Sequence, residues 1–143
     1  MLCGLQKYSG SVVRKRSSSP KLQVLANSTA TAYEAPWMTE LNDATMGALV
    51  ESAVGAHLRN SIQGTMLGLY YWKKGNHEVD LVLTSKTKTL ALEVTTSEEH
   101  HLRGLDAFQK AYPSASVALI GPRGISVEDV LTSTAQDLLA RLT

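Results

Sequence analysis

The alternation of hydrophobic and polar residues divides the chain into elements that can be predicted one by one. The stretch NDATMGALVESAVGAHLRNSI carries apolar residues at helical spacing, and Asn42, Asp43 and Thr45 are its candidate N-caps. Three strand-like stretches follow, TMLGLYYWKK, HEVDLVL and TLALEVTT, with the turns GN and TSKTK between them. The pattern then predicts a helix in EEHHLRGLDAFQKAY, a buried strand in SVALIG, and one last helix in SVEDVLTSTAQDLLARL that starts with a capping box.

The order of these elements indicates an α/β fold. A helix, three strands, a helix, a strand and a helix predict a mixed sheet, first a meander and then a βαβ crossover to a parallel strand. The start of the chain differs, because SGSVVRKRSSSPKLQVL has two β-prone pieces that predict a hairpin turning between Arg14 and Pro20. Residues 27–44 have no clear period and predict a loop. We therefore expect a basic β-hairpin over residues 1–30 and an α/β domain over residues 31–143, together one globular unit.

Composition limits how such a chain could bind nucleic acid. Its 143 residues suit one domain, and an apolar fraction of 43% is enough for a packed core. Fourteen Lys and Arg stand against thirteen Asp and Glu, so the net charge of +1 gives no overall attraction to nucleic acid. The local basic patch is Arg14, Lys15 and Arg16 with Lys7 and Lys21. This patch is a candidate contact for a phosphate backbone, or it is simply a solvated turn.

The sequence also indicates the cellular compartment of the protein. A single cysteine, Cys3, excludes an internal disulfide and fits a reducing compartment. The first residues, MLCGLQKYSG, are too short and too polar for a secretory signal, and no run of about 18 apolar residues is present. We therefore expect a soluble, cytoplasmic protein with no membrane association. A P-loop is also missing, so the chain is not a P-loop ATPase by itself.

Two carboxylates stand on neighbouring predicted strands, Asp80 in HEVDLVL and Glu93 in TLALEVTT. Strand residues alternate between faces, so Glu93 and Thr95 should share a face, and Asp80 should lie across from Glu93. Two unneutralised carboxylates about 4 Å apart repel by roughly 4 kcal/mol, so such a pair indicates a metal, a shared proton or a nearby cation. Mg²⁺ suits carboxylate ligands. The alternative is structural, with both acids paired to Arg59 or a lysine in a partly buried salt bridge.

One helix and two strands together resemble a known family. Glu51 stands on the first long helix, Asp80 on one strand, and Glu-Val-Thr at 93–95 on the next. This pattern resembles the PD-(D/E)XK nuclease superfamily, and in particular the C-terminal domain of undefined function in many prokaryotic AAA-type ATP-binding proteins. The shared motifs, in order, are YS…KR…SPKL, GALVE, YYW…G…EVDLV, LEVTT and GLDAF…YP. The resemblance covers nearly the whole chain and implies a restriction-endonuclease-like mixed sheet, here as a stand-alone copy without the ATPase part.

The resemblance also implies roles for single residues. Asp80 and Glu93 would hold a Mg²⁺ ion, and Glu51 would reach it directly or through water. The superfamily places a lysine two residues after the glutamate, where it orients the attacking water and stabilises the phosphate, but Thr95 stands there in this chain. Threonine supplies no positive charge, and removal of one charge-stabilising donor costs on the order of 10²–10³ in rate.

These observations support one expected function and two alternatives. We expect a nuclease-like domain, catalytically weak or degenerate, that binds nucleic acid or a protein partner. The first alternative is an active Mg²⁺-dependent endonuclease that uses Glu51, Asp80 and Glu93 with a lysine from elsewhere, for which Lys73 and Lys74 are nearest by topology. The second alternative is a protein-interaction or assembly module, such as a homo-oligomer, with no role at nucleic acid.

Overall fold

A computed structural model of the chain describes residues 2–9, 18–24, 42–98 and 102–143. Within these residues the chain forms a six-stranded sheet with four helices. The strands are β1 (Leu2–Lys7), β2 (Lys21–Val24), β3 (Gly68–Lys74), β4 (His77–Thr84), β5 (Thr89–Val94) and β6 (Ser116–Ile120). The helices are α1 (Asp43–Ser61), α2 (Arg103–Ala111), α3 (Val127–Thr132) and α4 (Ala135–Leu142).

Part of the predicted hairpin and most of the predicted loop cannot be compared with the structure. Arg14, Lys15 and Arg16, at the predicted hairpin tip, lie outside the described residues, as does most of the stretch 27–44. No helix in the described ranges is both long enough and apolar enough to cross a membrane.

The sheet is mixed, and its strand order is β2-β1-β3-β4-β5-β6. Strands β3, β4 and β5 form an antiparallel meander, and β6 lies parallel to β5 after the crossover through α2. The turn between β3 and β4 has two residues, and Gly75 adopts a φ of 58° there, which a residue with a side chain rarely adopts. The predicted mixed α/β fold is therefore confirmed.

The strands of the predicted N-terminal hairpin are also present. β1 and β2 pair antiparallel, with Leu2 opposite Val24 and Leu5 opposite Lys21. The end of β1 then pairs in parallel with β3 at Tyr70 and Tyr71, so the hairpin extends the sheet on the β3 side.

Hydrophobic residues cover both faces of the sheet. On the first, which we call the α1 face, helices α1 and α4 bury Val54, Leu58 and Leu138 completely. On the second, the α2 face, Leu105 and Phe108 of α2 are buried against the strands. The strand residues of β4 and β5 that contribute to the α1 face are Leu81, Leu83, Leu90 and Leu92, and those that contribute to the α2 face are Val79, Val82 and Ala91.

The start of α1 agrees with the prediction, whereas α2 begins later than predicted, at Arg103, and the last predicted helix is divided. Of the three candidate caps for α1, Asn42 is the N-cap, because its side chain accepts a hydrogen bond from the backbone N–H of Thr45. The single last helix was a wrong prediction, since it divides into α3 and α4 between Thr132 and Ala135. Thr134 forms a reciprocal capping box with Asp137 and starts a new helix there.

Candidate functional site

The site begins at an irregularity in β4. Tyr70 lies opposite Val82 and Trp72 lies opposite Val79, so β4 has one more residue than β3 between these pairs. Asp80 is in this bulge, and a bulge changes the direction of the side chains it contains. The Asp80 carboxylate is mostly buried, and its Oδ2 atom accepts a hydrogen bond from the backbone N–H of Val94 at 3.0 Å.

A lysine from the N-terminal hairpin lies among three carboxylates. The Nζ atom of Lys21 is 2.8 Å from Oε1 of Glu51 and 3.1 Å from Oε1 of Glu78. The same Nζ is 3.5 Å from Oδ1 of Asp80. We call Lys21, Glu51, Glu78 and Asp80 the Lys21 cluster. One ammonium group therefore joins β2, α1 and β4 on the α1 face of the sheet.

Contacts on either side of this lysine hold β2 in place. The buried Gln23 side chain donates a hydrogen bond from Nε2 to the backbone oxygen of Ser52 in α1 at 2.9 Å. Gly55 makes this close approach possible, since a Cβ atom there would lie 2.3 Å from Oε1 of Gln23. Before β2, the hydroxyl of Tyr71 donates to the backbone oxygen of Ser19 at 2.7 Å. The hairpin is thus docked on both α1 and β3.

The cluster keeps two of its members charged. Burial alone would lower the pKa of Lys21, but the hydrogen bond to Glu51 and the negative charge of Asp80 outweigh it and raise this pKa above its usual value. Burial alone would raise the pKa of Glu78, but hydrogen bonds from Lys73 and Lys21 outweigh it and lower this pKa. Lys73 donates to Oε2 of Glu78 at 3.0 Å. The ammonium of Lys21 and the carboxylate of Glu78 are therefore ionised at neutral pH.

The pKa values of the two predicted metal ligands, Asp80 and Glu93, are shifted toward the neutral, protonated form. Burial, followed by the charge of Glu51, raises the pKa of Asp80 to about 6, although the Val94 N–H and Lys21 oppose this. Burial, followed by the charge of Asp80, raises the pKa of Glu93 to about 8. Glu93 is consequently protonated in most molecules at neutral pH. Burial is the largest cause of both shifts, and the charge of a neighbouring carboxylate is the second.

Glu93 is enclosed by the first turn of α2. Gly104 packs against the start of β4 so closely that a Cβ atom there would lie 2.0 Å from the backbone oxygen of Glu78. The same position is 3.6 Å from Oε2 of Glu93. Any larger residue at 104 would push α2 away from the sheet and open the surroundings of Glu93.

Thr95 stands just after β5 and is engaged locally. Its backbone N–H donates to the Ile120 oxygen of β6 at 2.9 Å. Its buried hydroxyl accepts a hydrogen bond from the backbone N–H of Ser97 at 3.1 Å. The position where the resemblance expects a lysine is thus occupied by a side chain that stabilises a bend in the backbone.

The structure assigns surroundings to each predicted site residue that it describes. Glu51 and Asp80 share the Lys21 cluster, whereas Lys73 pairs with Glu78 and Lys74 lies beside α2. In the described ranges, no group of three or more His, Cys, Asp or Glu side chains is arranged to hold a metal ion. Asp80 paired with a lysine is the arrangement that the structural alternative predicts, with Lys21 rather than Arg59 as its partner.

Sequence reasoning missed one member of the cluster and the surroundings of another. Glu78 was not predicted as a site residue, although it is two positions before Asp80 in a strand and such residues share a face. Lys21 was a candidate contact for nucleic acid with the hairpin tip, and its ammonium lies against three carboxylates that the sequence did not connect to it.

Comparison with known proteins assigns the chain to a family. A mixed α/β sheet with a half-buried acidic cluster is compatible with many functions, so the family adds independent information. The chain belongs to the family described as Domain of unknown function (DUF4143), whose model matches residues 46–134. This domain is often found with AAA-type ATPases. The matched segment contains Glu51, Glu78, Asp80 and Glu93, and Lys21 lies before it. No curated protein and no solved structure gave a significant match.

Proposed function

We propose that this chain is a nuclease-like domain that binds nucleic acid and whose acidic centre is neutralised by Lys21 in place of a divalent metal. The observation that carries the proposal is the contact of one ammonium group with Glu51, Glu78 and Asp80 at 2.8 to 3.5 Å. Two of these three acids are ones that the resemblance to PD-(D/E)XK nucleases links to the metal. An internal cation in their midst supports a binding function over efficient catalysis.

A divalent ion does not fit the cluster while Lys21 is in place. Mg²⁺ would need the oxygens of Asp80 and Glu93, with Glu51 nearby, and it would supply a water of lowered pKa and stabilise charge on a phosphate. Oδ1 of Asp80 faces the lysine ammonium and Oδ2 accepts the Val94 N–H. Metal and ammonium carry the same sign of charge, so binding of the metal would require the lysine to withdraw.

The hydrogen bonding of Thr95 also supports weak catalysis. Its hydroxyl is hydrogen-bonded to the backbone of Ser97 and brings no positive charge to a reacting phosphate. The loss of such a charge-stabilising group lowers rates on the order of 10²–10³.

A second candidate is the active Mg²⁺-dependent endonuclease. One observation favours it: Lys21 brings an ammonium to 3.5 Å from Asp80, so it could replace the motif lysine more directly than Lys73, which pairs with Glu78. In this candidate Lys21 would leave the carboxylates when a metal enters and would remain beside the phosphate.

Binding and cleavage of labelled DNA and RNA test both candidates. We expect the natural protein to retain labelled DNA or RNA in EDTA and to show no cleavage in Mg²⁺ or Mn²⁺ that depends on Asp80. Cleavage that is lost in both Asp80→Asn and Lys21→Ala, but kept in the exposed-turn control Lys86→Ala, would favour the endonuclease. Cleavage lost in Lys73→Ala instead would assign the lysine's role to Lys73.

One result of the same assay would reject any role of the protein in binding nucleic acid. Self-association that is insensitive to salt, together with no retention of DNA or RNA in EDTA, would favour an assembly module. The Lys21 cluster would then be a structural ion-pair network that holds the hairpin to α1 and β4.

A further inference from the structure

We propose that a basic groove between the β3–β4 turn and α2 binds the phosphate groups of a nucleic-acid backbone. The proposal rests on the proposed function and gives it a surface on the face of the sheet opposite the Lys21 cluster. We call this surface the α2 groove; its volume is about 600 Å³. Its lining residues are Lys74, Gly75, Asn76, His77, Ala107, Lys110 and Ala111.

The charge of the α2 groove has one sign. Lys74 comes from the start of the β3–β4 turn, and Lys110 comes from the last turn of α2. Within the described part of the chain, no acidic side chain lines the groove, and no ion pair involves Lys74 or Lys110. The whole chain has a net charge of only +1, so the attraction of the groove's lysines for anions is local rather than a property of the whole chain.

Strand alternation explains why two neighbouring lysines have different surroundings. Lys73 points to the α1 face, where Glu78 neutralises it at 3.0 Å. Lys74, the next residue, points to the α2 face and lines the groove. His77 lies directly opposite Lys74 in the register of the hairpin. The acids of β4 and the ammonium of Lys74 are therefore separated by the sheet itself.

The shape of the α2 groove favours phosphate over a base. Gly75, Ala107 and Ala111 have little or no side chain, so an anion can approach both lysines without displacing a bulky group. Ala107 and Ala111 are four residues apart and share one side of α2. No Phe, Tyr or Trp side chain is among the lining residues, and the imidazole of His77 is the one ring among them. Contacts to phosphates position a protein on nucleic acid without reading its sequence.

The test compares two matched double variants of the full chain. Lys74→Gln with Lys110→Gln neutralises the groove, and Lys86→Gln with Lys88→Gln removes the same charge from the exposed β4–β5 turn. Binding of labelled DNA duplexes of several sequences is followed by fluorescence anisotropy in EDTA between about 50 and 200 mM salt. We expect the groove variant to bind at least about tenfold more weakly on every sequence, with a salt slope lower by roughly 0.9 per lost phosphate contact. We expect the turn variant to keep the slope of the natural protein.

The outcomes separate this inference from the proposed function. An equal loss in both double variants, or no loss in either, while the natural protein binds DNA, would overturn the groove and leave the nucleic-acid function standing. No binding by the natural protein to DNA or RNA would overturn both. A third result is that inorganic phosphate raises the Tm of the natural protein but not of the groove variant, while no oligonucleotide binds. This result would overturn the proposal that the α2 groove binds a polynucleotide and would assign it to a small anion.

Discussion

Replacement of Lys21 by methionine removes the only cation that Glu51 and Asp80 contact among the ion pairs of the described residues. Methionine keeps a long unbranched side chain and leaves the carboxylates without their ammonium. Lys21 is 27% exposed, Glu51 32% and Asp80 15%, so the cluster lies between the surface and the interior. Exposed pairs contribute about 0–1 kcal/mol, and breaking a fully buried pair costs about 3–5 kcal/mol. We therefore expect a loss of about 2 kcal/mol.

This loss depends on pH in a defined direction. The folded pKa of Asp80, about 6, is above its ordinary value of 3.8, so its contribution to stability is present below pH 3.8 and is lost as the pH rises through about 6. Without Lys21 this pKa rises further, because an opposing positive charge is gone. The deficit of Lys21→Met should therefore be largest above the raised pKa and should shrink as the pH falls and the carboxylates take up protons.

Thermal and urea unfolding measure the deficit. For a domain of this size, 2 kcal/mol corresponds to a fall in Tm of about 6 °C. Lys86→Met, on the exposed β4–β5 turn, is the matched control and should stay within about 0.5 kcal/mol of the natural protein. Equal stability of Lys21→Met and the natural protein at pH 8, or a deficit that does not change between pH 8 and pH 4, would refute the reasoning.

Three further predictions concern the surroundings of the cluster. The folded pKa of Glu93 is about 8, so its contribution to stability is present below pH 4.5 and is lost as the pH rises through 8. Glu93→Gln should therefore stabilise the protein by up to about 3 kcal/mol at alkaline pH. Thermal unfolding across pH measures this, and a destabilised variant at pH 9 would contradict it. Gly104→Ala should cost about 2–3 kcal/mol in urea unfolding because its Cβ would meet the Glu78 backbone oxygen, and a neutral result would argue against this packing. Gly55→Ala should cost about 1–2 kcal/mol through the clash with Gln23, and Gln23→Ala should relieve it in a double-mutant cycle; strict additivity would show that the two do not touch.

The sheet and its helices could be predicted because their signals are local. The period of two in HEVDLVL and TLALEVTT gave β4 and β5, and the helical stripe around Leu105 and Phe108 gave α2 with its parallel crossover to β6. The division of the last helix was missed although Thr134 and Asp137 have the spacing of a capping box, which marks a helix start. A tertiary contact adds to this local signal, since the N–H of Ala135 donates to the hydroxyl of Ser61 at the end of α1.

The candidate site could be predicted only in part, because one of its central residues comes from a distant part of the chain. Asp80 and Glu93 stand in a recognisable strand pattern, so they could be chosen as candidate site residues from their neighbours in sequence. Lys21 lies 57 positions before Glu78, and its side chain reaches the carboxylates only because β2 docks on α1 through Gln23. No periodicity of the sequence encodes that docking, and a basic hairpin is by itself equally compatible with a solvated or nucleic-acid-binding surface.

The central claim is that Lys21, and not a divalent metal, neutralises the acidic cluster. The most direct test is thermal unfolding of the natural protein and of Lys21→Met in EDTA, Mg²⁺ and Mn²⁺, with Asp80→Asn added to each. A metal at about 100 times its Kd stabilises by roughly 2.7 kcal/mol, a rise in Tm of several degrees. We expect no rise for the natural protein and an Asp80-dependent rise for Lys21→Met, in which the metal takes the place of the ammonium. A rise of several degrees in the natural protein that disappears with Asp80→Asn would contradict it.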